Sequence, residues 1–388
     1  MGQTLFSDKA HISMVRHSEV HRRWKALAFL AVLVASGPCV YAQSGVVKFT
    51  EAFRIGDEAA GDSVLLDRVF TMAVDSREQL YLTDFGFKGI RMFSKDGVLI
   101  GEIGRVGRGP GEFAGPPSVY IGPGDSLYAW DRQTTRLSIF TPQGQSLITS
   151  VTVRHSEFDA LRPLAFLGAT NRGLLMEFSS FYPPGSGESG EMAHLVQLVY
   201  WSGTTATDTI AHLPSPDYVI FEMESASGVR FLPYAAHPHF EFSADQVLYY
   251  GMGDAIDITG MPLNGGKRHR ISLPHRPVFL APAERLASVA GVRLNDLRKK
   301  LLANIPAHKP AFSKLLLDDA GHLWIRLSRP ESEQTTMWLV LDNTGVEVAR
   351  ANVPKGMRLL AVHGSRAYGE LTDEDTKVPV AVAWEISF

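Results

Sequence analysis

One stretch of the chain repeats itself. Leu80-Tyr81-Leu82-Thr83-Asp84 returns 47 residues later as Leu127-Tyr128-Ala129-Trp130-Asp131, and Ile90, Met92, Phe93 and Gly97 return at the same offset as Leu137, Ile139, Phe140 and Gly144. Each copy holds two runs of alternating apolar residues and ends in a turn glycine, the pattern of a short antiparallel meander. A repeat of about 40–50 residues with several strands per copy is the signature of a propeller blade.

Blade-like units recur along the chain. The first spans 69–103 and the second 118–153. A third clear copy starts at Leu315, where Leu317-Asp318 and Leu323-Trp324-Ile325 match Val74-Asp75 and Leu80-Tyr81-Leu82. Units at 164–201, 240–273 and 359–388 fill the gaps. The expected fold is all-β, a six-bladed β-propeller. The last unit shows three strands, and Phe49–Ile55 alternates without a blade of its own. That segment is expected to supply the missing strand and close the ring, removing an exposed edge. Residues 281–304 break the β pattern. They predict a short helical insertion of two pieces interrupted at Gly291-Val292, with Pro282 in a first turn and Asn295 as a cap. Leu294, Leu297 and Leu301 share one face, which predicts a patch over apolar surface rather than a mobile lid.

The first 42 residues stand apart. Arg22, Arg23 and Lys25 precede an apolar run from Ala26 to Ala35, and Val40-Tyr41-Ala42 offers small residues before Gln43. This is the pattern of a secretory signal peptide cleaved near Ala42-Gln43, with Met1 and Met14 both open as starts. The expected organisation is a leader over 1–42 and one propeller domain over 43–388, secreted or periplasmic. Arg22-Arg23 lacks the rest of a twin-arginine motif, and Pro38 sits badly for lipidation of Cys39. Cys39 is the sole cysteine, so the exported chain has no disulfide and must be held by its core. A formal net charge of −3 with no basic run argues against nucleic acid and anionic membrane surfaces. No later apolar stretch reaches transmembrane length.

Gly104-Arg105-Val106-Gly107-Arg108-Gly109-Pro110-Gly111-Glu112-Phe113, then Pro116, a strand, and Leu127-Tyr128, Asp131, Leu137, Phe140 and Gly144, resembles the NHL-repeat type of blade. The chain is similar to secreted bacterial six-bladed β-propeller proteins related to that group, most strongly over 55–145. The resemblance implies a six-bladed ring and leaves the chemistry open, since such propellers include binding modules and metal-dependent enzymes. Taken physically, the glycines free the backbone to return from an outer to an inner strand, and Phe113 can wedge between blades. No Gly-Lys-Ser/Thr follows, so a phosphate loop is disfavoured.

Other motifs have structural readings. Gly124-Asp125-Ser126-Leu127 spells the opening of a hydrolase motif, but Ser126 falls in a hairpin turn. Asp84, Asp131, Asp75 and Asp318 recur at equivalent turns, which predicts side-chain bonds to loop backbone. His237-Pro238-His239 lacks a third metal ligand nearby, and Asp373-Glu374-Asp375 lacks EF-hand spacing.

With strands running outward, loops entering each blade and those joining its second and third strands emerge on one face. The long excursions at 214–239 and 274–311 are of the first kind. Those at 178–193 and 329–337 are of the second, and concentrated insertions mark a working face. That face carries Arg105, Arg108, Arg132, Tyr218, Phe221, Arg230, Tyr234, His237 and His239, types favoured at contacts. The expectation is an exported, non-catalytic binding propeller without a cofactor. Its partner would be a periplasmic or extracellular peptide, glycan or protein. The alternative is a metal-dependent hydrolase or lyase at the channel mouth, using a divalent metal.

Overall fold

The computed structural model describes residues 45–56, 64–153, 161–180, 193–200, 206–223, 226–354, 356–372 and 378–388, all within one compact unit. The leader, the cleavage position and Asp373-Glu374-Asp375 lie outside the described residues. The first sheet is Val69–Val74, Leu80–Asp84, Phe87–Phe93 and Leu99–Ile103 in sequence order, and the second is Ser118–Ile121, Leu127–Asp131, Arg136–Phe140 and Leu147–Thr152. The third is Leu161–Ala169, Gly173–Ser180, Ala193–Tyr200 and Ala206–Pro214, and the fourth is His239–Phe242, Val247–Gly251, Ile256–Pro262 and His269–Leu273. An eight-stranded sheet follows. Its first half is Phe312–Leu317, Leu323–Leu327, Thr335–Leu341 and Glu347–Pro354. Its second is Met357–His363, Arg366–Thr372 and Pro379–Ser387, completed by Gly45–Ile55.

The N-terminal strand is therefore the clasp expected of it, and it does more. Lys48 to Ile55 pair antiparallel with Ser387 to Ala381, through a bulge between Glu51 and Phe53. Gly45 to Val47 also pair parallel with Ala349 to Ala351. One strand thus joins the two halves of the eight-stranded sheet.

The apolar cores show why this is a propeller. Each is shared by two sheets adjacent in sequence. Tyr81, Ile90 and Ile103 meet Val119, Leu127 and Phe140. Trp130 and Leu137 meet Phe166 and Leu174. Leu175 and Val196 meet Leu248 and Met261. Ile256 and Ile271 meet Leu315 and Ile325, and Trp324 and Trp338 meet Leu359 and Val382. The cycle then closes, because Tyr368 and Ala381 pack on Val69 and Leu80. Strands packed on both faces lose the polar–apolar alternation, so Leu80–Asp84 and Leu127–Asp131 are buried at every position. The outer strand Leu99–Ile103 is largely exposed.

The turn aspartates serve the backbone as expected. Asp84 Oδ1 accepts the Gly86 N–H at 2.8 Å. Asp131 accepts those of Gln133 and Ala114, both at 2.8 Å. Asp75 accepts from Arg77 and Gln79, and Asp318 from His322. Asp125 binds Ser76 of the preceding sheet, with Ser126 in the same turn. In the glycine-rich loop, Glu112 gathers the N–H groups of Arg108 and Gly109. Phe113 is fully buried between the first two sheets. Gly104 has φ +79°, and a Cβ there would meet the Phe113 ring at 2.3 Å, so the wedge requires glycine.

Of the two long insertions, the helical one has the two short pieces expected of it, and the other differs from its reading as a loop. Residues 214–239 contain a hairpin, Tyr218–Met223 with Ala226–Phe231, which lies between blades and repeats no part of them. The helices are α1, Pro282–Ala287, and α2, Asn295–Asn304, and Leu294 rather than Asn295 is the residue preceding α2. Leu294 is exposed, while Leu297 and Leu301 are buried against Leu232, Ala235, Val219 and Phe221. The insertions therefore cover each other with a small core of their own.

Candidate functional site

The first strands of the sheets face a common axis. Neighbouring first strands pack together, and Tyr120 and Phe166 bridge the second and third with ring centres 5.1 Å apart. In antiparallel sheets the start of the first strand and the end of the second lie at one end. At that end the channel carries charge. Glu177 comes from the second strand of sheet three and His194 from its third. His237, His239 and Glu241 lie at the start of sheet four. Lys314 and Arg326 lie on Phe312–Leu317 and Leu323–Leu327, and Arg358 on Met357–His363.

A pocket of about 230 Å³ opens here, lined by Glu177, Pro238, His239, Phe240, Glu241, Lys314 and Leu315. Glu177 is already engaged, with His194 Nδ1 2.7 Å from its Oε1. Arg358 donates to Glu370 at 3.1 Å and to the Val69 carbonyl, tying the last sheet to the first. Glu370 also accepts the Val69 N–H. Among the described residues the Lys314 ammonium makes one hydrogen bond, from Nζ to the Leu359 carbonyl at 3.3 Å. It stands directly across the strand pair from Arg326. Glu241 and Arg326 have no hydrogen bond or ion-pair partner among the described residues.

Glu241 and Lys314 are each only half-buried by surface, because the channel is open to water, yet protein surrounds them. Burial holds the Glu241 carboxyl above the usual carboxylate range, against the opposing pull of Lys314. Burial likewise depresses the Lys314 amine; Glu241 opposes this, and Arg358 and Arg326 add to it. Burial, then His237 and Lys314, push His239 down to about 4, so its ring is neutral at pH 7. His237 is lowered too, by burial and then by His194.

The residues singled out in the sequence occupy several places on this end. His239 lines the pocket, its ring 5.1 Å from that of Phe312. His237 lies 6.4 Å from Phe231, which in turn meets Tyr218 edge-on. Arg230 is exposed on the same hairpin. Phe221 packs in the core beneath the inserts, and Tyr234 joins it there under Lys309. Arg105 bridges to Glu112 at 2.7 Å, and the Arg108 carbonyl accepts from Arg136. Arg132 sits in a second hollow of about 320 Å³ with Phe70, Phe85, Pro116, Asp131 and Gln133.

Glu177, Glu241, Lys314, Arg326 and Arg358 escaped the sequence reading, which searched loops. Their signal was a lone charge inside an apolar strand, as in Phe312-Ser313-Lys314-Leu315 and Trp324-Ile325-Arg326-Leu327. Among the described residues, no group of three or more His, Cys, Asp and Glu side chains is disposed to hold a metal ion. No described helix is long and apolar enough to cross a membrane.

No protein-family model and no curated protein sequence matches the chain. Solved structures do. A candidate exported protein from Bacteroides fragilis is similar at a TM-score of 0.50 and 11% identity, over 88% of this chain and 96% of that one. A gluconolactonase from Xanthomonas campestris scores 0.41 at 13% identity, over 83% and 87% of the two chains. Virginiamycin B lyase from Staphylococcus aureus scores 0.42 at 8% identity, over 87% and 99%. The likeness is one of fold: this chain is an all-β propeller with a few short helices.

Proposed function

We propose that the protein is an exported, six-bladed, NHL-like propeller that binds a ligand at the channel mouth without covalent chemistry. One observation carries this reading. Elsewhere on this end charged side chains pair with one another or with backbone, whereas among the described residues the side chains of Glu241 and Arg326 are unpartnered and that of Lys314 nearly so. Half-buried charges without partners cost stability, and a ligand repays that cost. The ligand class is a peptide, a glycan or a segment of a protein partner. The leader pattern places the protein in the periplasm or outside the cell, with Gln43 first, and N-terminal sequencing of exported protein checks this.

The test is capture on peptide and glycan arrays by wild-type protein and by the His237→Ala/His239→Ala variant. Array binding that the variant loses, with unfolding unchanged, supports the reading; capture that the variant retains rejects it for this face.

A second reading has its own observation. A carboxyl raised and an amine lowered toward neutrality are what acid–base chemistry needs. A hydrolase or lyase assisted by a divalent metal would then work at the same mouth. Stoichiometric metal in purified protein, with a hydrolytic activity that a chelator abolishes, would favour it over binding alone.

A further inference from the structure

The pocket's two walls differ in charge. On one side Lys314 lines the pocket, and Arg326 stands opposite it across adjacent strands, behind that lining, an arrangement that is destabilising when nothing lies between like charges. Arg358, on the next first strand, adds to the repulsion felt by Lys314. Its own charge is met by Glu370, whereas Lys314 feels Glu241 across the pocket without a hydrogen bond to it and Arg326 has no carboxylate partner among the described residues. On the other side stands Glu241, which accepts no hydrogen bond among the described residues. The pocket lies between, with Glu241 and Lys314 both in its lining. Glu177 cannot serve as a second free acid, because His194 holds it at 2.7 Å.

We propose that the channel mouth holds a small zwitterion, a free α-amino acid or a whole dipeptide, with its carboxylate at Lys314 and Arg326 and its ammonium at Glu241. The inference rests on the binding reading above and narrows its ligand class. Guanidinium and ammonium donors suit a carboxylate, the first by its planar fork. A phosphate dianion would be repelled by Glu241 and Glu177 in the same pocket. A simple cation would be repelled by Lys314, Arg326 and Arg358. A volume of about 230 Å³ suits an amino-acid-sized group rather than a polymer segment. Burial already raises the proton affinity of Glu241, so an arriving ammonium draws that carboxyl to its ionised form and releases a proton.

The experiment is isothermal titration of the full exported chain with pooled free L-amino acids and with pooled random dipeptides. Acetate, ethylammonium and inorganic phosphate at equal concentration are the controls, and retained ligands are identified by mass spectrometry. At least one pool should bind while each control fails, and which pool binds separates free amino acid from dipeptide. Arg326→Gln and Glu241→Gln should each weaken binding about tenfold or more. Titration in two buffers of different ionisation enthalpy should reveal proton release that Glu241→Gln abolishes. Phosphate or acetate binding as well as the pools, silence from both pools, or full affinity in both variants overturns the proposal. Silence from the pools alongside His237/His239-dependent array capture sinks this inference alone. Loss of that dependence sinks the binding reading itself.

Discussion

The junction of the first two sheets and the junction of the fourth and fifth are built from the same parts and spend their polar groups differently. At the first, Asp84 and Asp131 are buried, yet each accepts backbone N–H groups. Glu112 pins the glycine-rich loop, and Thr71 Oγ1 accepts the Val119 N–H of the next sheet at 3.1 Å. At the second, Glu241, Lys314 and Arg326 are half-buried with almost no such bonds among the described residues. The first junction is complete in itself. The second has hydrogen-bonding capacity left over, and capacity left over beside a pocket is what a ligand can use.

Four measurements would sharpen or break this contrast. The largest effect concerns the closing strand, which belongs to neither junction and underlies both. Deleting 45–55 bares the edge of Pro379–Ser387, so loss of cooperative unfolding or aggregation on heating is expected. An unchanged melting curve would remove the clasp from the account. Next, Asp131→Ala leaves two N–H groups unpaired in the complete junction and should cost about 2–3 kcal/mol in denaturant unfolding.

The third effect is pH-dependent. His239 has its folded pKa pushed down to about 4 from an ordinary value of 6.5. The unfolded chain therefore takes up the proton first. Stability from this residue is present above about 6.5, falls as pH drops toward 4, and levels off below. After allowance for solvent in the channel, about 2 kcal/mol is at stake. His239→Gln should flatten that part of the stability–pH curve. The smallest effect has the opposite sign. Arg326→Met removes a like-charge pairing with Lys314 and sets an apolar stem beside Trp338, its cross-strand neighbour. A gain of about 0.5–1 kcal/mol is expected, and a loss of similar size would show that Arg326 is already satisfied without ligand.

The fold was legible in the sequence because repetition announces itself. A strand buried on both faces, a turn aspartate and a turn glycine recur at one offset, and the edge problem of a ring requires a closing strand. The hairpin inside 214–239 was not legible, since it repeats nothing. Nor was the mouth. A working face chosen by loop length finds His237 and His239 but misses Lys314, whose importance comes from Arg326 opposite it and Glu241 one sheet away. Both are contacts that a linear pattern cannot display.

The double pairing of the first strand also sets a timetable. Gly45–Ile55 is synthesised ahead of every other described strand, yet its antiparallel partner, Pro379–Ser387, comes last. Until then the leading strand has an open edge, and the first sheet lacks the Tyr368 and Ala381 that complete its core. The ring cannot lock in pieces; it locks once, when the tail arrives. A chain stalled or clipped before that point presents unpaired strands to its neighbours, so the cell must shield those strands or degrade them.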